Sequence, residues 1–314
     1  MKILVTGSQG FVGQALCKYL TEKRYDVISA VRISAGLQNE YAIGNISANT
    51  YWQPALKNIN TVIHLAARVH QMHDNAINPL TEFRQLNVDS TLNLARQAAE
   101  SGVKRIVFTS TIKVNGEGSK TPYKESDTPK PEDPYAISKW EAEQGLLEIS
   151  RQTGIEIVIV RPPLVYGPGA KGNFASLVSW VRKGWPLPFG SVRNQRSLIA
   201  LENLVSFLAL CADNTLSPLA ANQTFVIADG EDISTPDLLK KVAYAHRVKS
   251  RLISIPSCIF KVAGQLMGKQ AEVDRLLSSL LVDSTKAREL LGWRPIISMD
   301  EQLRKIAVME SRDD

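Results

Sequence analysis

The sequence predicts an α/β fold, in which a doubly wound parallel sheet is accompanied by a smaller, mostly helical C-terminal lobe. Short β-branched runs alternate with longer amphipathic patterns, as parallel strands and their crossover helices require. A glycine-rich turn follows the first strand directly, and the pattern beyond Glu231 is mostly helical. Because crossovers between parallel strands are right-handed, a doubly wound sheet is the expected arrangement.

The individual elements follow from the apolar runs and their spacing. Strands are expected over Ile3–Val5, Asp26–Val31, Thr61–Leu65, Arg105–Thr109 and Ile155–Val160. Helices are expected over Phe11–Lys23, Pro79–Ser101 and Tyr135–Thr153. The proline-rich stretch Asn115–Pro134 is expected to be a surface excursion, and Tyr166–Arg196, rich in Gly, Pro and Trp, a binding loop.

Length and composition indicate an ordinary globular protein. The 314 residues are 44% hydrophobic and 22% charged, and 37 Lys+Arg against 31 Asp+Glu give a net charge of +6. No basic stripe with interleaved aromatic residues is present, so nucleic acid is not an expected partner. The apolar runs are too short for an integral membrane segment, and three scattered cysteines indicate a reducing compartment. A cytoplasmic location is therefore expected.

The turn after the first strand carries glycines at positions 7, 10 and 13. Gly7 permits a tight turn, Gly10 lets the backbone approach a pyrophosphate, and Gly13 lets the helix pack closely on the sheet. The N–H groups at the start of the helix can then bind the phosphates. The turn predicts a Rossmann-like dinucleotide-binding domain over residues 1–165, to which residues 196–230 return. Residues 166–195 and 231–314 are assigned to a substrate-binding lobe.

The end of the second strand bears on which dinucleotide binds. NAD enzymes usually carry Asp or Glu there, about 20 residues beyond the glycines. This strand instead ends at Val31 and Arg32. Arg32 can accept a 2′-phosphate, which favours NADP(H), although an exposed arginine at a strand end is the other explanation. NAD(H) is the alternative cofactor.

Tyr135 and Lys139 are four residues apart at the start of a predicted helix, so they share one face. An ammonium near a phenol favours the phenolate, and we expect Lys139 to lower the pKa of Tyr135 from its usual value of ~10. Such a phenol can exchange a proton with an alcohol or carbonyl oxygen. Ser110 and Thr111 end the fourth strand, where ligands of open α/β sheets bind, and Thr111 can hydrogen-bond the same oxygen.

Together these residues resemble the extended short-chain dehydrogenase/reductase family, the NAD-dependent epimerase/dehydratase group. The resemblance covers nearly the whole chain and rests on TGSQGFVG (6–13), HLAARVH (64–70), NVDSTLNL (87–94), TSTIKVNGE (109–117), YAISK (135–139), RPPLVYGPG (161–169), RSLIALENLV (196–205) and LGWRP (291–295). It implies Thr111, Tyr135 and Lys139 as catalytic residues, with a threonine where serine is most common. The coenzyme contacts that it implies are Gly7, Gly10, Phe11, Val12, Gly13, Arg32, Asn45, Ile46, Leu65, Ala66, Ala67, Asn87, Ser110, Tyr135, Lys139 and Pro162. The substrate contacts that it implies are Asn173 and Arg196, and a homodimer is the usual assembly. Phe189 is a further substrate candidate, as an aromatic ring able to stack on a uracil.

Within the family, TSTIKVNGE and GPGAKGNF (167–174) are most similar to bacterial enzymes of O-antigen and capsule sugar synthesis. We expect an NADPH-dependent C4 reductase of a UDP-4-keto-6-deoxy-N-acetylhexosamine, because Arg32 stands where an acidic residue is usual. The alternative is a redox-neutral 4-epimerase of UDP-glucose or UDP-N-acetylglucosamine. An alternative of another class is a non-catalytic dinucleotide-sensing regulator, which the Tyr135–Lys139 pair disfavours.

Two histidine features are set apart from this site. His70, His73 and Asp74 have a spacing that suggests a metal, but their place after the third strand favours a loop over the substrate. No metal is expected. His64 ends an apolar strand and is expected to be a hydrogen-bonded core residue rather than a catalyst.

Overall fold

The computed structural model describes residues 1–68, 78–119, 121–266, 268 and 270–311. Its strands are β1 (Lys2–Thr6), β2 (Asp26–Val31), β3 (Glu40–Ala42), β4 (Thr61–His64), β5 (Arg105–Thr109), β6 (Glu156–Arg161), β7 (Leu164–Tyr166), β8 (Leu198–Ala200) and β9 (Thr224–Val226). Its α-helices are α1 (Phe11–Glu22), α2 (Pro79–Arg84), α3 (Ser90–Glu100), α4 (Pro134–Thr153), α5 (Asn173–Arg182), α6 (Leu201–Ala212), α7 (Thr235–Ala245), α8 (Ser257–Leu266), α9 (Gln270–Leu277), α10 (Thr285–Leu291) and α11 (Met299–Glu310). A π-helical turn covers Gln85–Asp89, and 3-10 turns cover Ile112–Val114 and Pro218–Ala220.

Within these described ranges, seven strands form one parallel sheet in the order β3-β2-β1-β4-β5-β6-β9, and β7 pairs with β8 separately. Leu4 of β1 lies in register between Ile28 and Val62 of its neighbours. The strand order reverses between β1 and β4, and ligands of such sheets bind beyond the carboxyl ends at that point. The predicted doubly wound α/β fold is confirmed, and the C-terminal portion is helical as expected.

Both faces of the sheet are buried under helices. Val5 belongs to a core cluster with Leu204 of α6 on one face. Leu4, whose side chain points to the opposite face, clusters with Leu94 of α3 and Leu146 of α4. The second cluster holds α4 against β5 and β6, so the first turns of α4 lie near the carboxyl edge of the sheet.

The expected strands and helices are reproduced to within a residue or two at their ends. The helix expected over 79–101 is instead α2 and α3, joined by the π-helical turn. The stretch 166–196, expected to be a loop, contains α5, whose Phe174, Val178 and Val181 are buried at helical spacing. The short strands β3, β7, β8 and β9 were missed because three residues give too little alternation to recognise.

A third hydrophobic cluster unites α5, α7 and α11 and includes Phe174, Leu239 and Leu303. Tyr166, at the end of β7, donates a hydrogen bond to Asp229 Oδ2 at 2.7 Å, which joins the chain leaving β7 to the chain that follows β9. Across the part of the chain that the structure describes, no helix combines the length and the apolar character needed to cross a membrane.

Candidate active site

The glycine turn lies directly against the end of β4. Gly7 has a φ of +69°, and a Cβ there would lie 2.8 Å from the backbone nitrogen of Ala66. A Cβ on Gly13 would lie 2.1 Å from the carbonyl oxygen of Gly7, so α1 starts in contact with the turn. Gly10 is the N-cap of α1, and no described side chain caps this helix. Its first N–H groups are therefore open to an anion.

A cavity of ≈ 1160 Å³ opens over this turn, at the reversal of strand order. Its walls include several residues expected to contact the coenzyme, namely Gly7, Gly10, Arg32, Asn45, Ile46, Ala66 and Ala67. Arg32 is exposed just beyond the end of β2. A cavity with open N–H groups and no room for side chains at the turn fits a dinucleotide whose pyrophosphate contacts the backbone.

Other coenzyme candidates lie at the start of α1 and just beyond β4 and β6. Phe11, Val12 and Leu65 pack against the core cluster on the α1 and α6 face of the sheet. The main-chain oxygen of Pro162 accepts a hydrogen bond from the nitrogen of Ile112 at 3.0 Å, which joins the end of β6 to the turn after β5.

Asn87 is buried and its amide is engaged by the protein. Its oxygen accepts a hydrogen bond from the nitrogen of Arg68 at 2.8 Å. Its nitrogen donates to the oxygen of Arg68 and to Ser138 Oγ, both at 3.0 Å. These bonds join the segment after β4 to α4, and the expected coenzyme contact of Asn87 stays a prediction.

The first turn of α4 carries Tyr135. Asp133 caps this helix by accepting a hydrogen bond from the nitrogen of Ala136 at 2.6 Å, and Pro134 occupies the first turn. The Tyr135 ring lies 6.1 Å from the ring of Phe83 in α2, measured between centroids. The phenol is thus placed where α2 and α4 meet at the carboxyl edge of the sheet.

Lys139 is fully buried, one turn further along α4. Its Nζ lies 3.9 Å from the ring centroid of Phe108 in β5. His64 of β4 stacks on the same ring at 5.9 Å. The two ring nitrogens of His64 are hydrogen-bonded to Thr6 Oγ1 and Thr91 Oγ1, at 2.7 and 2.9 Å. His64 is therefore a satisfied core residue, as expected, and burial lowers its pKa to about 3, so it stays neutral.

The two hydroxyls at the end of β5 differ in their surroundings. Thr111 Oγ1 accepts a hydrogen bond from the nitrogen of Lys113 at 3.3 Å and so caps the 3-10 turn. Ser110 is buried, and its Oγ has no hydrogen-bond partner among the described residues. A buried hydroxyl without a partner costs free energy, which a bound ligand could recover.

Burial dominates the ionisation of the tyrosine–lysine pair. Exclusion of water, with the charge of Asp133 adding to it, raises the pKa of Tyr135 to about 12. Burial lowers the pKa of Lys139 to about 7, and the nearby Glu143 opposes that change. The expected lowering of the phenol pKa is therefore not found. The four-residue spacing placed both groups on one face, but burial disfavours both charged forms.

A buried ion pair holds the middle of α4. Glu143 Oε2 lies 2.5 Å from Arg161 Nη2 at the end of β6, and both side chains are almost fully buried. Arg161 also donates to Asn115 Oδ1 at 3.0 Å. Because breaking one partner of such a pair leaves an unpaired buried charge, this contact fixes the helix that carries Tyr135 and Lys139.

The substrate candidates fall in different places. Asn173 is exposed at the start of α5. Phe189 is buried in the core of the C-terminal lobe and stacks on Phe260, with centroids 6.0 Å apart. Its ring packs among apolar side chains of the C-terminal portion, and the expected contact with a uracil stays a prediction.

Arg196 contacts a segment that carries an ion pair not predicted from the sequence. Its Nη1 donates to the main-chain oxygen of Arg275 at 2.7 Å. Arg275 Nε lies 2.5 Å from Glu117 Oε2, across the two lobes. No local spacing signals this pairing, because the partners are far apart in the chain. The main-chain contact and the ion pair together join the segment around Arg196 to α9 and to the loop after β5.

The histidine motif cannot be placed in this site. His70, His73 and Asp74 lie outside the described residues. In the ranges that are described, no group of three or more His, Cys, Asp or Glu side chains could hold a metal ion.

The fold, the glycine turn and the cavity together define a class, a dinucleotide-dependent enzyme. A family model described as the NAD dependent epimerase/dehydratase family matches residues 3–228. The chain belongs to this family, which confirms the family resemblance and the expectation of an NAD(P)-dependent enzyme.

Individual relatives cover almost the whole chain. A UDP-glucose 4-epimerase of Vibrio cholerae is 45% identical over 97% of this chain and 94% of its own length. An N-acetyl-alpha-D-glucosaminyl-diphospho-ditrans,octacis-undecaprenol 4-epimerase of Escherichia coli O157:H7 is 25% identical, with 90% and 88% covered. The crystal structure of UDP-N-acetylglucosamine 4-epimerase from Bacillus cereus superposes with a TM-score of 0.79 at 22% identity, covering 99% and 96%. The last of these shows the shared fold.

Replacing Gly13 with alanine is expected to abolish coenzyme binding and to destabilise the protein. The new Cβ would meet the Gly7 oxygen at 2.1 Å, so the turn or α1 must move. NAD⁺ titration and thermal unfolding measure the two effects. Gly102→Ala is the comparison, because Gly102 has open space around it and would lose stability only through its positive φ. Wild-type NAD⁺ binding in Gly13→Ala, or an equal loss of NAD⁺ binding in Gly102→Ala, would contradict the crowding argument.

Replacing Lys139 with methionine is expected to stabilise the fold at neutral pH. Because the folded pKa of about 7 lies below the usual 10.5, the unfolded chain binds more protons between these values, and wild-type stability rises with pH there. At pH 7 the variant should gain about 1–3 kcal/mol in free energy of unfolding, since no ammonium is desolvated. Urea unfolding at several pH values measures the gain, which should shrink as the pH rises from about 7 to 10.5 and then stay constant.

The control for this substitution is Lys57→Met, because Lys57 is exposed. A gain in Lys139→Met that does not change with pH, or no gain at neutral pH, would show that the buried ammonium carries no such cost.

Proposed function

We propose that this chain is an NAD-dependent UDP-sugar 4-epimerase, with UDP-glucose as the first substrate to test. The observation that carries the proposal is the 45% identity to the Vibrio cholerae UDP-glucose 4-epimerase, which extends over 97% of this chain. That likeness supports the epimerase alternative over the C4 reductase that the sequence favoured. The homodimer implied by the family resemblance stays a prediction.

The glycine turn and its cavity would hold the coenzyme. The open N–H groups at the start of α1 would bind its pyrophosphate, and the lack of room for a Cβ at Gly7 and Gly13 fits that approach. When bound, the nicotinamide supplies a reversible acceptor for the hydride on the sugar C4 carbon.

The residues at the carboxyl edge of the sheet would remove the proton from the C4 oxygen and return it. Tyr135, as the phenolate, would take this proton to become the phenol and would return it later, so the phenolate ends the cycle as it began. Lys139 would stabilise the phenolate that is present before the first transfer and after the second. The hydroxyl of Thr111, at the end of β5, would orient the same oxygen.

The C4 reductase is the second candidate function, and one observation favours it. Arg32 lines the cavity beside Asn45 and Ile46, where the adenosine half of the coenzyme would lie. A guanidinium there suits the 2′-phosphate of NADP(H). A reductase consumes its coenzyme, whereas an epimerase returns it unchanged.

Substrate conversion separates the two candidates. The protein with NAD⁺ is incubated with UDP-glucose or with UDP-N-acetylglucosamine, and the products are resolved by anion exchange. We expect the C4 epimer to appear with no net formation of reduced nicotinamide. Stoichiometric NADPH oxidation with a UDP-4-keto-6-deoxy-N-acetylhexosamine, without epimer formation, would establish the reductase instead.

Replacing Tyr135 with phenylalanine is expected to lower turnover by about 10²–10⁴-fold, because the ring is kept while the proton carrier is lost. NAD⁺ affinity should stay within about twofold of wild type, measured by calorimetry. Tyr51→Phe is the control, since Tyr51 is exposed. Full activity in Tyr135→Phe would exclude a proton-transfer role for this residue.

Replacing Arg32 with alanine is expected to weaken NADP⁺ binding by about tenfold and NAD⁺ binding by less than twofold. The reason is the loss of charge-assisted hydrogen bonds to a 2′-phosphate that NAD⁺ lacks. Paired titrations of the two coenzymes measure the difference. An equal loss for both would mean that Arg32 does not distinguish them.

A further inference from the structure

A line of alternating charges runs from α9 to the first turn of α4. Arg275 Nε of α9 lies 2.5 Å from Glu117 Oε2. Glu117 Oε1 lies 3.0 Å from Lys113 Nζ, and that ammonium lies 2.6 Å from Asp133 Oδ2. The Glu117 and Asp133 side chains are only 13% and 21% exposed, so water screens these contacts less than surface pairs.

We propose that Lys113 is a positioning residue of the 4-epimerase reaction, fixing the first turn of α4 through Asp133 and tying that turn to α9 through Glu117. The residue positioned in this way is Tyr135. The inference rests on the proposed function in one respect, the role of Tyr135 as proton carrier.

The carboxylate of Asp133 performs two tasks at once. Its Oδ1 caps α4 by accepting a hydrogen bond from the nitrogen of Ala136 at 2.6 Å. Its Oδ2 accepts a hydrogen bond from Lys113 Nζ, also at 2.6 Å. A change at Lys113 therefore reaches the helix cap, two residues before Tyr135. The main-chain nitrogen of Lys113 also donates to Thr111 Oγ1 at 3.3 Å. Lys113 is thus in contact with both segments that carry the proposed catalytic hydroxyls.

The charge of Lys113 also bears on the phenol. Burial would raise the pKa of Asp133, but hydrogen bonds from Lys113 and the Ala136 nitrogen hold it below its usual value, so this group is a carboxylate. That carboxylate adds to the effect of burial in raising the pKa of Tyr135. Without Lys113 its charge would be less compensated, and the phenolate would be further disfavoured.

The other groups around Tyr135 come from two elements. Lys139 lies one turn along the same helix, and α2 presents the apolar ring of Phe83. Arg84 of α2 is paired with Glu141 of α4 at 2.6 Å. Glu117, from the loop after β5, pairs with the same ammonium of Lys113 at 3.0 Å, so Lys113 lies between two carboxylates, of which Asp133 is the one that caps α4.

A double-mutant cycle between Lys113 and Asp133 tests the proposal. Lys113→Met should move the acid limb of the pH profile of kcat/KM upward by about 0.5–1 unit, because the phenolate is harder to form. Asp133→Asn, which keeps a side chain able to cap the helix, should move it downward. Lys113→Met added to Asp133→Asn should then change nothing further, because Lys113 acts through Asp133. Lys113→Arg, which keeps the positive charge, should retain the wild-type pH profile of kcat/KM.

Two readouts do not need turnover. Hydrogen exchange at the Ala136 and Ile137 nitrogens reports the first turn, and it should speed up in Lys113→Met. The NMR signal of ring-labelled Tyr135, assigned with Tyr135→Phe, reports its ionisation and should follow the same cycle. Both are measured on the NAD⁺-bound protein, so they test the inference even if no UDP-sugar is converted.

The matched control is Lys124→Met. Lys124 pairs with Asp283 at 3.5 Å, another contact between the loop after β5 and the C-terminal lobe, but not with the cap of α4. It should leave the pH profile unchanged. The proposal is overturned if Lys113→Met leaves the profile in place, or shifts it equally with and without Asp133. If Lys113→Met does not fold, Lys113→Gln enters the same cycle.

Discussion

The burial of the Lys139 ammonium is the constraint on which the rest of the site depends. Its Nζ lies 3.9 Å from the centre of the Phe108 ring, inside the protein rather than in water. A buried cation is costly, so the helix that carries it must be held from several directions. The Glu143–Arg161 ion pair fixes the middle of α4, and Asp133 fixes its first turn. The tyrosine in that turn is positioned as a consequence.

The coenzyme cavity depends on close packing at the same edge of the sheet. Gly7 and Gly13 let α1 begin against the end of β4, where a side chain on either glycine would collide with backbone. This packing leaves the first N–H groups of α1 open. The cavity and the phenol therefore belong to one edge, at the reversal of strand order between β1 and β4. In the proposed function, that arrangement would let one fold hold a dinucleotide and place a proton carrier at the same edge.

Features set by local spacing could be predicted from the sequence, and features set by burial or distant contacts could not. Strand and glycine patterns predicted the sheet, and the four-residue spacing put Tyr135 and Lys139 on one face. The direction of the phenol pKa depends on water exclusion, which spacing does not report. The Glu117–Arg275 pair joins segments far apart in the chain, so no motif marks it. The choice between reductase and epimerase had rested on Arg32 alone.

The fate of the hydrogen on sugar C4 tests the central claim, that this edge of the sheet inverts C4 by removing and returning both a proton and a hydride. UDP-glucose is incubated with the protein and NAD⁺ in heavy water and followed by proton NMR. We expect UDP-galactose that keeps protium at C4, because Tyr135 exchanges only the oxygen-bound proton. Deuterium at C4, or no UDP-galactose at all, would contradict it.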